Sequence, residues 1–483
     1  MNHLRIVGRA ALVAALASGA AACESGLTEL NQNPNQPEVA AAEYLFTNAV
    51  EAAVGRTTGE ALNMDLTGLF VQHYAESRFS EQDRYEISDG NSQTHWTGFY
   101  AGPLQDLTEV VEKGRAENRP NVQAMGMIMR AWTFQVVTDL WGDVGYSEAL
   151  RIRQPGAGNA VVYDPQQAIY AGMQQELRDA AALLTPTGAR MGAADILYGG
   201  DPEKWRRFAN SLRLRMAMRL SDASPAAAAA EFADALADGV FTSNAHSAVL
   251  WYLANGTNGH PIYEYENIPR IDHAISSTMV DSLSRLNDPR LRFYAKPTSA
   301  GTYRGELPGD TRDQPLNSIS RIGEWFARAD APSYVMTYAE VLFLQAEAAE
   351  RGWITGDPAA LYRAAIRAHM TQFNIGGDAF NDIAADSINA YLAQPRVQYA
   401  GLQSIALQKW IALYGNGPEA FAEWRRLDGP ALTPGRDALN ERRIPVRLPY
   451  PVSEQSLNGA NLTAAVTRQG GASLNHRVWW DRD

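Results

Sequence analysis

The chain has 483 residues, 46% of them hydrophobic and 20% charged, the composition of an ordinary globular protein rather than a disordered or fibrous one. A formal net charge of −12 argues against nucleic acid as a partner, because phosphates demand clustered cations. A single cysteine, Cys23, excludes any internal disulfide and any zinc site built from several thiolates.

In chain order, Arg5 and Arg9 come first, flanking the start of an apolar stretch that includes "AALVAALASGAA". At about a dozen residues it suits the core of a secretory signal and is too short for a bilayer, which needs about 20. Cys23 directly follows Ala20, Ala21 and Ala22, at the position where a bacterial lipoprotein signal is cut. The expectation is therefore a signal peptide over 1–22 and a lipidated Cys23 that anchors the mature chain. Ala20, where such signals usually carry leucine, departs from the pattern, and a plain secretory signal is the alternative. The polar "ESGLTELNQNPNQPEVA" that follows lacks helical periodicity and reads as a tether, giving residues 23–40 to anchor and tether together.

Apolar residues at spacings of three and four then predict helices over "AAEYLFTNAVEAAVG", "GEALNMDLTGLFVQHYAES" and "NVQAMGMIMRAWTFQVVTDLWGDV", the last stopped by Gly142-Asp143. Asp164-Pro165 and Asp201-Pro202 read as start signals for two more, and "PAAAAAEFADALADG" adds another. From Trp251 to about Ser333 the chain is rich in Gly, Pro, Asn and aromatics, predicting long ordered loops and short strands around one helix near "HAISSTMVDSLSRL". Helices resume with "YVMTYAEVLFLQAEAAERG", "DPAALYRAAIRAHMTQF", "LQSIALQKWIALYG" and "EAFAEWRRL". The C-terminal "RRIPVRLPYPVSEQSLNGANLTAAV" reads as turn-rich. The expected fold class is mainly α: tetratricopeptide-like helical hairpins, without a strict ~34-residue period, and a loop-rich irregular lobe with short strands. A single body over 41–483 divides into a helical scaffold at about 41–240 and 334–427 and a lobe at about 241–333 and 428–483.

Catalytic patterns are missing: the histidines form no HExxH pair, and no GxSxG, Walker A or strand-linked GxGxxG occurs. Glu340 and Glu347 share a helix about 10 Å apart at a rise of ~1.5 Å per residue, a poor spacing for paired-carboxylate hydrolysis. They are expected to brace neighbouring helices through arginines. Asp139 and Asp143 are likewise expected to cap a helix and bury nearby aromatics. No catalytic residue, cofactor or metal ligand is assigned.

Aromatics in the loop-rich region beside Asn, Asp and Arg suit sugar rings, whose C–H faces stack on Trp and Tyr while hydroxyls take polar groups. The candidate ligand residues are Arg78, Arg84, Tyr85, Trp96, Trp251, Tyr263, Tyr265 and Trp325. For each aromatic, packing of the loops onto the helices is the competing explanation. Should the ligand be a peptide, Arg78, Arg84, Arg270 or Arg321 could hold a carboxylate.

The segments "TELNQNPNQP", "WTGFYAGPLQDL", "MRAWTFQVVTDLWGDVGYSEAL", "WRRFANSLRLRMAMRLS", "YVMTYAEVLFLQAEAAERGW", "LQKWIALYGNGPEAFAEWRR" and "RRIPVRLPYP" occur in that order after Cys23. Together they resemble the SusD/RagB family of outer-membrane nutrient-binding lipoproteins, in its SusD-like branch. The resemblance implies a non-enzymatic, cell-surface, lipid-anchored protein that captures oligomers. Most relatives bind oligosaccharides, some peptides. It also implies delivery to a partner SusC-like TonB-dependent β-barrel transporter, with the hairpins toward the barrel and the irregular lobe forming the ligand site. A helical scaffold used only for protein contacts is the alternative from another class.

Overall fold

The computed structural model describes residues 40–151, 160–254, 258–266, 272–312, 314–374 and 382–482. The expected signal segment, Cys23 and all of the tether but its last residue lie outside these residues, as does Arg270. Ala42–Asp483 forms one unit.

Helices dominate and pack as consecutive hairpins. Helix α1 (Ala42–Thr58) leads into a π-helix (Glu60–Thr67), followed by α2 (Asp89–Phe99), α3 (Gln105–Ala116) and α4 (Pro120–Trp141). Next come α5 (Gln166–Leu183), α6 (Pro202–Arg219) and α7 (Pro225–Ala237). Short helices in the lobe include α8 (Pro261–Glu266) and α9 (Ser277–Arg285). The scaffold closes with α10 (Tyr338–Glu350), α11 (Pro358–Thr371), α12 (Ala385–Leu392), α13 (Leu402–Ala412) and α14 (Gly417–Leu427), and α15 (Gly459–Gln469) ends the helical series. Short connections make α3–α4, α6–α7 and α10–α11 antiparallel pairs. Small residues set their closeness. A Cβ on Gly114 would lie 2.6 Å from Gln123 N, and one on Gly126 would touch Val110 and Val111 at 3.0 Å.

Local chemistry starts and stops these helices. Asp201 accepts from Glu203 N at 3.0 Å and Asp357 from Ala359 N at 2.9 Å, each just ahead of a Pro at the first helical position. Gly142, at φ +83, ends α4 in a conformation that other residues resist. Asp164, however, does not cap α5. Its carboxylate turns back to accept from Tyr146 N and Ser147 N, while Asp143 Oδ1 takes Gln166 N at 2.8 Å. Asp139 Oδ1 accepts from Trp480 Nε1 at 2.8 Å and also from the Tyr170 hydroxyl, so this acidic pair caps a helix and anchors aromatics as expected.

Three predicted segments change character. "GEALNMDLTGLFVQHYAES" is helical only to Phe70; Gln72 adopts φ +54 and strand β1 (Tyr74–Glu76) follows. A run buried on every side carries neither a helical nor a strand period, so its pattern could not distinguish the two. Tyr334–Met336 belong to a strand rather than to the helix after them, which begins where Thr337 Oγ1 accepts from Glu340 N at 3.1 Å. The C-terminal stretch read as turns holds a short helix at Val452–Leu457 and α15, broken only at Asn458.

Two antiparallel strand pairs join distant parts of the chain: β1 with β3 (His273–Ile275), and β2 (Ala248–Trp251) with β4 (Pro332–Met336). The core also contains charge. Arg215 Nε and Nη2 donate to Glu340 at 2.6 and 2.7 Å, and Arg426 Nη1 and Nη2 donate to Glu347 at 2.5 and 2.6 Å. Glu340 and Glu347 therefore brace helices through arginines, as expected. Among the described residues no helix is long and apolar enough to cross a membrane.

Candidate ligand-binding cleft

Where α1 ends, Gly59 links it to the π-helix beside α8 and lets the backbone pass close to its neighbours. A Cβ there would collide with the Gly55 carbonyl oxygen and lie 3.2 Å from Pro261. Gly98 on α2 leaves the space that the Arg56 guanidinium occupies, since a Cβ would sit 2.7 Å from Arg56 Cζ. These close approaches shape an open cleft of about 640 Å³. Glu51, Arg56, Glu60, Thr94, His95, Pro261, Glu264 and Tyr265 are among the residues that line it.

Its lining is more apolar than polar, with hydrogen-bonding groups set into it. Burial pushes the Glu60 carboxyl up to about 7, with the Asp65 charge adding to it. Near neutrality this group is therefore both a donor and an acceptor. Burial also raises Glu51, although Arg56 opposes the shift. Burial holds His95 down to about 4, so its ring is neutral, with Nε2 3.2 Å from the Ala61 carbonyl.

Behind the cleft, β1 and β3 set Glu76 directly across from His273. The Tyr265 hydroxyl accepts from Asp272 N at 2.9 Å and lies 2.8 Å from His273 Nδ1. His273 Nε2 is 2.7 Å from Asp65 Oδ1 and 3.8 Å from Glu76 Oε1. Asp65, Glu76 and His273 are the described residues placed to hold a metal ion. Burial, reinforced by Asp83, pushes Glu76 up to about 10, and burial pushes Asp83 to about 7. Glu76 N donates to Asp83 Oδ2 at 3.0 Å, which ties the following loop back onto β1.

The sequence-predicted ligand residues do not converge. Tyr265 lines the cleft and Tyr263 sits beside it on α8, half-buried. Arg78 is exposed on the loop after β1. Arg84 pairs with Glu86 at 3.7 Å and accepts Leu439 N on its carbonyl at 2.8 Å. That contact brings it to the 435–439 segment, whose Gly435 and Arg436 line a second groove of about 510 Å³ with Leu307, Asp310 and Arg312.

Three of the expected stacking rings are instead packing residues. Tyr85 is buried edge-on against Phe70. Trp96 is buried among Trp141, Tyr163 and Tyr450. Trp325 is 4% exposed, enclosed by Phe293 and Phe373. Trp251, at the end of β2, is 40% exposed and stands edge-on to Trp325 at 6.4 Å. Arg321 is engaged by Glu266. The cleft residues that sequence reasoning missed are Glu51, Arg56, Glu60, His95 and Glu264, which lie on ordinary helical surfaces. Their one sequence signal is the Gly55–Gly59 spacing on the end of α1.

The protein is thus a scaffold of helical hairpins that carries an open cleft beside a loop-rich lobe. The SusD-like family model, described as starch-binding associating with outer membrane, matches residues 34–451. Among solved structures, a chitin-binding protein is 30% identical, with a TM-score of 0.83 over 92% of this chain and 100% of its own. A SusD-like protein of Bacteroidetes AC2a is 26% identical (TM-score 0.81, 92% and 100% covered). A SusD homologue from Bacteroides fragilis is 25% identical (TM-score 0.79, the same coverage). No curated protein matches the sequence. The chain belongs to the SusD-like family, a family of binding proteins associated with the outer membrane.

Proposed function

We propose that this protein is a lipid-anchored, cell-surface binder of oligosaccharides, chitin oligomers foremost, that hands them to a TonB-dependent β-barrel transporter and performs no chemistry on them. The observation that carries the reading is the open cleft of about 640 Å³ lined by Glu51, Arg56, Glu60, Thr94 and Glu264. Alternating acceptors and donors of this kind match the vicinal hydroxyls and amides of a neutral glycan, and Tyr265 adds an aromatic surface. Full-length similarity to a chitin-binding protein supports the choice of glycan. Anchoring through Cys23 follows from the N-terminal signal pattern, and the transporter from the family resemblance.

Calorimetric titration against chitooligosaccharides, maltooligosaccharides and oligopeptides tests the ligand class. Saturable binding of chitooligosaccharides that Arg56→Gln weakens about tenfold, or ~1.4 kcal/mol, is the expected result. Binding of peptides alone would replace the glycan reading. Binding of neither, with a barrel still co-purifying, would leave a scaffold. A Cys23→Ser chain that still partitions to membranes through an acyl group would overturn the anchor.

A further inference from the structure

We propose that Asp65, Glu76 and His273 form a binding site for one divalent transition-metal ion, zinc being the ion their chemistry fits best. Three separate segments deliver the ligands: the π-helix brings Asp65, β1 brings Glu76 and β3 brings His273. Glu76 and His273 are direct cross-strand partners, so their side chains leave the same face of the two-stranded sheet. One ligand atom from each residue falls within 4.8 Å of the others. The 2.7 Å and 3.8 Å separations from His273 Nε2 bracket the ~3.4 Å between neighbouring ligands of a tetrahedral ion bound at about 2.0–2.2 Å.

A plain histidine–aspartate hydrogen bond does not account for the geometry. Although 2.7 Å apart, His273 Nε2 and Asp65 Oδ1 are each buried without a hydrogen bond of good geometry. The same ring is fixed at its other nitrogen: Nδ1 meets the Tyr265 hydroxyl at 2.8 Å. That is the arrangement of a metal-bound histidine, oriented through one nitrogen and ligating through the other. His273 and Glu76 are 3% and 4% exposed, and no Lys or Arg among the described residues forms an ion pair with either or with Asp65. One imidazole with two carboxylates suits zinc and leaves a coordination position open. Because the Tyr265 ring lines the cleft, the ion would also fix one wall of it.

The test uses the full-length protein stripped with a chelator and titrated with Zn²⁺ by calorimetry, and with Co²⁺ by visible absorption. One Zn²⁺ per chain, cobalt ligand-field bands and a raised melting temperature on adding Zn²⁺ are expected. His273→Gln should abolish the bands and weaken Zn²⁺ at least a hundredfold, and Tyr265→Phe should weaken it about 10–100-fold. Asp65 is the most accessible of the three, with 22% of its side chain exposed, so Asp65→Asn provides a ligand deletion with less burden on folding. Circular dichroism verifies that fold. No Zn²⁺ binding by the wild type, or equal binding by wild type and a folded Asp65→Asn, would overturn the proposal.

Discussion

Arg426 holds Glu347 through two parallel N–H···O bonds of 2.5 and 2.6 Å between α14 and α10, with neither side chain more than 1% exposed. The same guanidinium donates to Glu423 at 2.7 Å, and Glu423 also receives Lys409 Nζ at 2.6 Å and Arg219. Four helices of the scaffold thus meet at paired charges rather than at an apolar seam. Glu347→Ala should cost about 3–5 kcal/mol in urea unfolding, because it strands a buried cation. Replacing Glu347 and Arg426 together by methionines should cost less than the two single changes added. Additive losses would mean that the pair is not a coupled unit.

Two buried histidines should make a destabilising contribution as pH falls below about 6.5, opposed by the raised carboxyls of Glu60, Glu76 and Asp83. Burial depresses His73 and His260 to about 3, so both stay neutral in the folded state while the unfolded chain takes up protons. A base with a lowered folded-state pKa makes stability fall as pH drops from about 6.5 towards 3, by ~1.4 kcal/mol per pH unit per histidine. Burial raises Glu347, but Arg426 and then Arg351 overcome it and hold the carboxyl below its usual range, so its stabilisation also disappears at the acid end. Urea midpoints at neutral and mildly acidic pH would reveal the slope. His73→Gln, which keeps a polar group near the Trp410 carbonyl, should remove about one proton from it.

The edge-on rings of Trp251 and Trp325, one open to solvent and one buried, predict opposite phenotypes. Trp325→Ala should cost about 3–5 kcal/mol of stability, since it empties a closed aromatic cluster. Trp251→Ala loses an edge-on pair worth about 0.5–1.5 kcal/mol and should leave the melting curve nearly intact. If Trp251 contacts ligand, its change appears in calorimetric affinity alone. Unchanged affinity would confine ligand contacts to the cleft.

Gly98→Ala tests how Arg56 is positioned. The added methyl would displace the guanidinium from its place against α2, a change at the cleft wall and not in the core. Oligosaccharide affinity should fall to the level of Arg56→Gln, and the double variant should be no weaker than either. A further drop in the double would show that Gly98 acts through another residue.

Much of the scaffold was legible in the sequence because its signals are local. Asp201 and Asp357 before prolines, Gly142 after a periodic run, and Pro225 ahead of an alanine-rich helix each act within a turn of the position they mark. The lobe was legible only as loops. Its residues carry no period, so nothing along the chain separates Trp325, sealed by Phe293 and Phe373, from Trp251, open to solvent. Trp96 misled for a related reason: it lies on a short helix with a polar first turn, yet Tyr450, far along the chain, covers it.

By itself, the sequence determined most of the scaffold helices, their hairpin order, the arginine–glutamate bracing and the family resemblance, since each is encoded in neighbouring residues or in linear order. Only the tertiary structure decided which surface is a cleft and which carboxylates share a site. Arg56, His95 and Glu264 meet there, and Asp65, Glu76 and His273 meet behind it, because Gly59, Gly98 and the β1–β3 pairing bring together segments that no local rule connects. Burial and charge pairing are properties of the neighbours a residue acquires in space, and those neighbours are set by the packed chain as a whole.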